Sequence, residues 1–178
     1  DIEGEVGGDV IDLLRAMGCD PLAITDSSRL RHPPKIEHFE NNTFMLFRGI
    51  AEFDESLELL PQQLGIWVAE LHIITVHRGH SVSVDGLWQR ALKQERLTDP
   101  GRLALRLIHY ASGRYLNTLL EFEERLSRFE DNVLADISES DMKELVAYRS
   151  RLRKLRRIFS YHHTLADAIY NHGGPYLG

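Results

Sequence analysis

The 178-residue sequence predicts an α/β fold in which a mixed, largely antiparallel sheet packs between helices as an α/β/α sandwich and a long antiparallel helical hairpin forms the C-terminal end. Three observations carry this. Between Thr43 and His77, short segments are rich in branched and aromatic side chains. From Asp99 to His172, apolar residues recur at alternating spacings of three and four, as on one face of a helix. A single break at Asp136 to Ser140 divides that run into two arms of similar length. The chain accordingly divides into an α/β core over 1–98, a hairpin packed on it over 99–172, and a short approach to a further helix over 173–178.

The opening DIEGEVGG reads as the end of a strand followed by a glycine-rich turn. Asp9 can cap a short helix bearing Val10, Ile11, Leu13 and Leu14, with Gly18 placed to end it and Pro21 barring its continuation. PLAITDS gives a second short helix or turn, which holds Asp26. In RHPPKIEHF the rings of Pro33 and Pro34 fix φ and remove two donors, so the stretch is a rigid approach segment and poor central strand. Three antiparallel strands follow, about Thr43 to Phe53, Gln62 to Ala69 and His72 to His77, joined by FDES and AELH. Leu64, Ile66 and Val68 alternate with Gly65, Trp67 and Ala69, which leaves no charge on either face of the middle strand. Such a strand is covered on both sides, Trp67 is buried, and a helix around Val84 to Glu95 is one cover.

Asp99-Pro100 is a cap followed by proline at the first helical position. The first arm carries a seam of Leu105, Ile108, Ser112, Tyr115, Leu119, Phe122, Leu126, Phe129 and Val133; the second carries Leu145, Tyr148, Leu152, Leu155, Phe159, His162, Ala166 and Ile169, and Gly173-Gly174-Pro175 stops it. Folding about Ile137 to Ser140 opposes residues whose numbers sum to about 278, which sets Tyr115 against His162 inside an otherwise apolar seam. Nine acids lie between Glu121 and Glu144, whereas Arg149, Arg151, Arg153, Lys154, Arg156 and Arg157 meet no acid before Ala166. The basic arm is expected to lie beside Glu121, Glu123 and Glu124, leaving an acidic tip.

Composition removes several classes. A formal charge of −6, from 27 acids against 21 Lys and Arg, disfavours a nucleic-acid binder that needs a basic field. Cys19 is the one cysteine, which excludes an intramolecular disulfide and a cysteine-rich zinc site. No apolar run approaches the roughly 20 residues of a membrane helix and no signal peptide opens the chain, so the sequence as given reads as soluble. Neither a glycine-rich phosphate loop nor a Gly-x-Ser-x-Gly elbow is present, and no enzyme activity is expected. His72, His77 and His80 do not make a metal centre, because the odd separation of the first two puts them on opposite faces of a strand.

DPLAITDSSRLRHPPKIEHFENNTFMLF, QLGIWVAELHIITVHRG, RYLNTLLEFEERLSRFED and LRKLRR, taken in order, resemble the cytoplasmic domain of the CorA family of divalent-cation transporters. The resemblance implies a regulatory or sensor domain of a magnesium or cobalt channel, working with other subunits in a homopentamer at the cytoplasmic face of the inner membrane. It implies Asp26 as the ligand of a weakly bound regulatory cation, Mg²⁺ first and Co²⁺ or Zn²⁺ as alternatives, shared with an acid of a neighbouring subunit. It also implies an irregular crossing at Pro33-Pro34 with Lys35 and Glu37 at the surface. The family's pore helices and Gly-Met-Asn signature are absent, so the transmembrane segments must come from outside this stretch. Thr25 stands where the family has Glu, Pro33 where it has Arg, and His109 where some magnesium members carry an acid. Two alternatives are the cytoplasmic domain of a ZntB-like zinc transporter and a free-standing module that binds a protein through the acidic tip.

Overall fold

The computed structural model describes residues 1–29, 32–53, 58–93, 99–135 and 138–177. Along them run β1 (Ile2–Glu3), α1 (Gly8–Ala16), α2 (Pro21–Ser28), β2 (Lys35–His38), β3 (Thr43–Phe53), β4 (Leu59–Val68), β5 (Ile73–His77), α3 (Val82–Lys93), α4 (Pro100–Ala135) and α5 (Glu139–His172). The strands make one sheet in the order β1-β5-β4-β3-β2, with β1 parallel to β5 and the other neighbours antiparallel.

Local chemistry explains most element ends. Asp20 caps α2, its Oδ1 accepting from Leu22 N at 2.8 Å, with Pro21 at the first helical position. Asp9 lies in the first turn of α1 instead of capping it; Gly7 holds the cap position and Asp9 favours the helix through the dipole alone. Asp99 caps α4 by accepting from Gly101 N and Arg102 N at 2.9 and 3.2 Å. Ser138 and Asp141 form a capping box at the start of α5. Ala69 N donates to His72 O at 3.0 Å to close the β4–β5 turn. The β3–β4 turn at Asp54 to Ser56 and the hairpin turn at Asp136 and Ile137 lie outside the described residues.

The approach segment departs from its expected irregularity. Lys35 to His38 pair with Leu46 to Thr43 as an edge strand, the one place in a sheet where the preceding proline pair costs no ladder bond. Lys35 is half-buried as well, not a surface lysine.

The sheet is covered on both faces. Phe44, Leu46, Trp67, Ile74 and Val76 face Leu14, Ala23 and Ile24 of α1 and α2. Met45, Phe47, Leu64, Ile66 and Val68 face Val84 of α3, Ala104, Leu107 and Ala111 of α4, and Leu165 of α5. Trp67 is 1% exposed, packed 4.6 Å from the Phe44 ring. A Cβ on Gly65 would lie 3.0 Å from Ser27, so glycine lets α2 approach the sheet there.

Near the sheet, the α4 seam runs through Ala104, Leu107 and Ala111, one residue away from the expected Leu105, Ile108 and Ser112, and Ser112 is exposed. Two alanines allow the helix axis close to the strands, a contact that a pattern of large apolar residues does not reveal. On α5, Tyr148, Leu155, Ile158 and Leu165 are buried, while Leu145 and Leu152 remain 47% and 40% exposed and Ala166 is exposed. Beyond the sheet the arms continue on their own cluster, in which Tyr148 meets the Phe122 and Phe129 rings edge-on at 5.5 and 5.6 Å.

The register of the hairpin holds. Tyr115 and His162 touch, ring centroids 5.3 Å apart. They do not bond each other: Tyr115 OH donates to Arg48 O at 2.8 Å and His162 Nε2 lies 2.9 Å from the same oxygen, while Arg114 donates to Ile50 O and Ala51 O. These carbonyls belong to the stretch of β3 past its last pair with β2, Leu46. The polar seam positions thus anchor the hairpin to the sheet backbone.

Candidate functional site

Asp26 lies in the last turn of α2, 9% exposed, where that helix passes over β4 and the edge strand β2. Gln63 of β4 fixes the helix end, its Nε2 donating to Asp26 O and Ser27 O at 3.0 and 3.2 Å, and its Oε1 accepting from His32 N at 3.3 Å. Arg78 donates to Ser28 O at 3.2 Å. Carbonyls that a helix terminus leaves without partners are thereby satisfied, and α2 is tied to the approach segment.

The carboxylate sits among cations of its own chain. Lys35 Nζ donates to Oδ2 at 2.5 Å; Arg29 and His32 lie 3.3 and 3.6 Å from Oδ1. Lys35 also reaches Glu37 at 2.8 Å, so one ammonium bridges two carboxylates from α2 and β2. Burial raises the Asp26 carboxyl, but the hydrogen bond from Lys35 and the charges of His32, Lys35 and Arg29 outweigh it, and the group is held below the usual range. Burial likewise lowers the Lys35 ammonium, and its bonds to Asp26 and Glu37 outweigh that and raise it. Both partners therefore stay ionised across the neutral range.

This arrangement can do two things. As it stands it is an ion-paired clasp between α2 and β2. It can also present carboxylate oxygens to a hard cation, but only by displacing Lys35 from Oδ2 or Arg29 and His32 from Oδ1, because both Asp26 oxygens already face positive groups. Thr25, beside it, is turned to its own helix, donating to Pro21 O at 2.8 Å, and His109 is exposed on α4, a different layer of the fold. Among the described residues no group of three or more His, Cys, Asp or Glu side chains converges as a metal centre.

The three histidines near β5 separate. His77 is buried, Nε2 3.1 Å from Asp1 Oδ1 and Nδ1 2.8 Å from Gly79 O; His80 pairs with Asp85 at 3.0 Å at the surface; His72 lies in the preceding turn. Two participants in the Asp26 site carry no distinctive sequence signal. Gln63 is one polar residue in a strand, and Arg29 lies on the α2 side of the proline pair. The Lys35-x-Glu37 spacing was the available clue, since residues two apart on a strand share a face.

Comparison with known proteins places the chain in a family. In fold the chain is similar to the soluble domain of CorA from Methanocaldococcus jannaschii, with a TM-score of 0.75 at 16% identity over 94% of this chain and 67% of that one. It is similar to the complete CorA magnesium transporter of the same organism, TM-score 0.79 at 16% identity over 98% and 56%, and to the full-length CmaX protein, 0.77 at 16% over 95% and 53%. The chain spans little more than half the length of those two full-length proteins. Among the described residues no helix is long and apolar enough to cross a membrane. Comparison with curated protein sequences finds no significant match. The family model for the CorA-like Mg2+ transporter protein matches residues 7–176, and the chain belongs to that family.

Proposed function

We propose that this chain is the regulatory domain of a CorA-like ion transporter, carried at the cytoplasmic face of the inner membrane in a homopentamer, with Mg²⁺ as the cation sensed and transported. The observation that carries the reading is the family match from residue 7 to 176, which takes in four of the sheet's five strands and the two long helices. Asp26 is the carboxylate through which a regulatory cation would meet the domain. Its surroundings favour a weak, exchangeable site. Mg²⁺ keeps much of its water and binds through one or two carboxylates, and here it must also displace an ammonium 2.5 Å away.

Isothermal titration of the chain with Mg²⁺, Co²⁺ and Zn²⁺ tests this. Binding in the millimolar range is expected, lost in Asp26→Ala and strengthened several-fold in Lys35→Met, which removes the competing charge. A micromolar site indifferent to Asp26→Ala would overturn the assignment of Asp26 and favour zinc held by histidines.

A further inference from the structure

The basic residues of α5 are not paired with the acids of α4 in the way their positions along the two arms suggest. Among the described residues no ion pair joins Glu121, Glu123 or Glu124 to Arg149, Arg153, Lys154, Arg156 or Arg157, and Arg151 instead reaches Glu58 of the β3–β4 hairpin at 3.3 Å. Three of them, Arg151, Lys154 and Arg157, line a cavity of about 680 Å³ between α5 and the far ends of β3 and β4. Arg151, Lys154 and Arg157 stand three apart on one helix face, and Arg48 of β3 closes the group from the sheet side. Against these four cations the described lining offers one carboxylate, Glu58, in a chain whose total charge is −6. Arg48 is held rigidly at its base, because its carbonyl accepts from Tyr115 and lies 2.9 Å from His162 Nε2. The rest of the wall is apolar or aromatic: Pro33, Leu59, Pro61, Ile158 and Tyr161.

We infer that this cavity binds a small phosphorylated molecule of the nucleoside polyphosphate class, its phosphates on Arg48, Lys154 and Arg157 and its planar body on Tyr161 and Ile158. Like charges one turn apart on a helix repel, and a multivalent anion relieves that repulsion. Guanidinium forks from two elements match phosphate oxygens in pairs, which a single carboxylate would leave half used. The volume lies within the roughly 300 to 1,000 Å³ of small-molecule sites. A small ligand is favoured over a nucleic acid or an anionic membrane because the net charge of the chain repels extended anionic surfaces. The residues assigned to the ligand are not those that hold Asp26, so the inference stands or falls independently of the cation reading.

Equilibrium titration of the 178-residue chain with ATP and with inorganic triphosphate, at two salt concentrations, tests it. ATP is expected to bind at least tenfold more tightly than triphosphate, and more weakly at higher salt. Lys154→Ala/Arg157→Ala should lose tenfold or more, whereas Arg149→Ala/Arg153→Ala, on the same helix but outside the cavity, should change binding by less than twofold. Circular dichroism of both pairs checks the fold, and Arg157→Glu alone should reproduce the loss if the double variant unfolds. Equal affinity for ATP and triphosphate would overturn the assigned contact with the planar body. No binding of either, or equal losses in the two variant pairs, would overturn the site.

Discussion

His162 keeps a neutral ring because of what surrounds it: Phe47 stacked at 4.4 Å, Tyr115 and Phe159 edge-on, and the Arg48 carbonyl 2.9 Å from Nε2. Burial, with the Arg48 charge, outweighs the hydrogen bond to the carbonyl and pushes the imidazole down to about 4 from 6.5. Between those two values the unfolded chain takes up a proton that the folded chain refuses. The stabilisation is therefore complete above pH about 6.5 and falls as pH drops toward 4, by on the order of 3 kcal/mol. Urea midpoints across that window should fall steeply for the natural chain and much less for His162→Gln; equal slopes would contradict the assignment. Tyr115 and His162 share one acceptor, so either Tyr115→Phe or His162→Leu leaves Arg48 O with a donor and only the double variant orphans it. A double-mutant cycle should show the double change costing about 1 kcal/mol more than the sum. Strict additivity would rule out the shared carbonyl. The sequence placed these two rings together through the hairpin register, but it gave no sign of their acceptor, because every residue carries a carbonyl and only the sheet topology shows which one is left over.

At the scale of elements, β4 is the strand whose apolar run on both faces announced a sandwich, and Trp67 is its largest buried group. Trp67→Ala should destabilise by about 3 to 5 kcal/mol in denaturant titration, the range for removing a core aromatic; a loss below 1 kcal/mol would mean that the α1–α2 layer does not seal that face. Iodide quenching must be read in a Trp88→Phe background, since Trp88 on α3 is 44% exposed and would quench regardless. The C-terminal segment makes a second element-level contact. Leu177 is buried in the main core, Tyr176 OH donates to Glu40 O at 3.1 Å, and a methyl on Gly101 would collide with the Tyr176 carbonyl. Gly101→Ala should cost about 1 to 3 kcal/mol despite the better helix propensity of alanine, and a stability gain would show that the tail is not seated on α4. That contact was not legible, because glycine near a helix start reads as weak helix chemistry and the tail looked like a departure from the domain. The seams were legible where large side chains mark them, at Phe122, Phe129, Tyr148 and Leu155, and misleading where alanines face the sheet.

Across the whole molecule, two long helices of 36 and 34 residues begin as the third layer of a sandwich and continue past it as a pair, about 50 Å from end to end. The order of elements could be read from the chain because strand patterning, caps and proline positions agree on it. The charges could be read only in part: the resemblance pointed to Asp26 as a cation ligand, but its clasp with Lys35, Arg29 and His32 depends on how β2 docks, and Arg151, Lys154 and Arg157 of α5 turn to β3 and β4 instead of to α4. The central claim, that this is the regulatory part of a Mg²⁺ transporter, is tested most directly by flux. The full-length gene product should be placed in proteoliposomes and Mg²⁺ entry followed with an internal indicator, at low and millimolar Mg²⁺ on the side bearing this domain. The account predicts flux that millimolar Mg²⁺ on that side suppresses, with the suppression weakened several-fold in Asp26→Ala. A full-length product that passes no Mg²⁺, or passes it equally whatever the Mg²⁺ on the domain side, would contradict it.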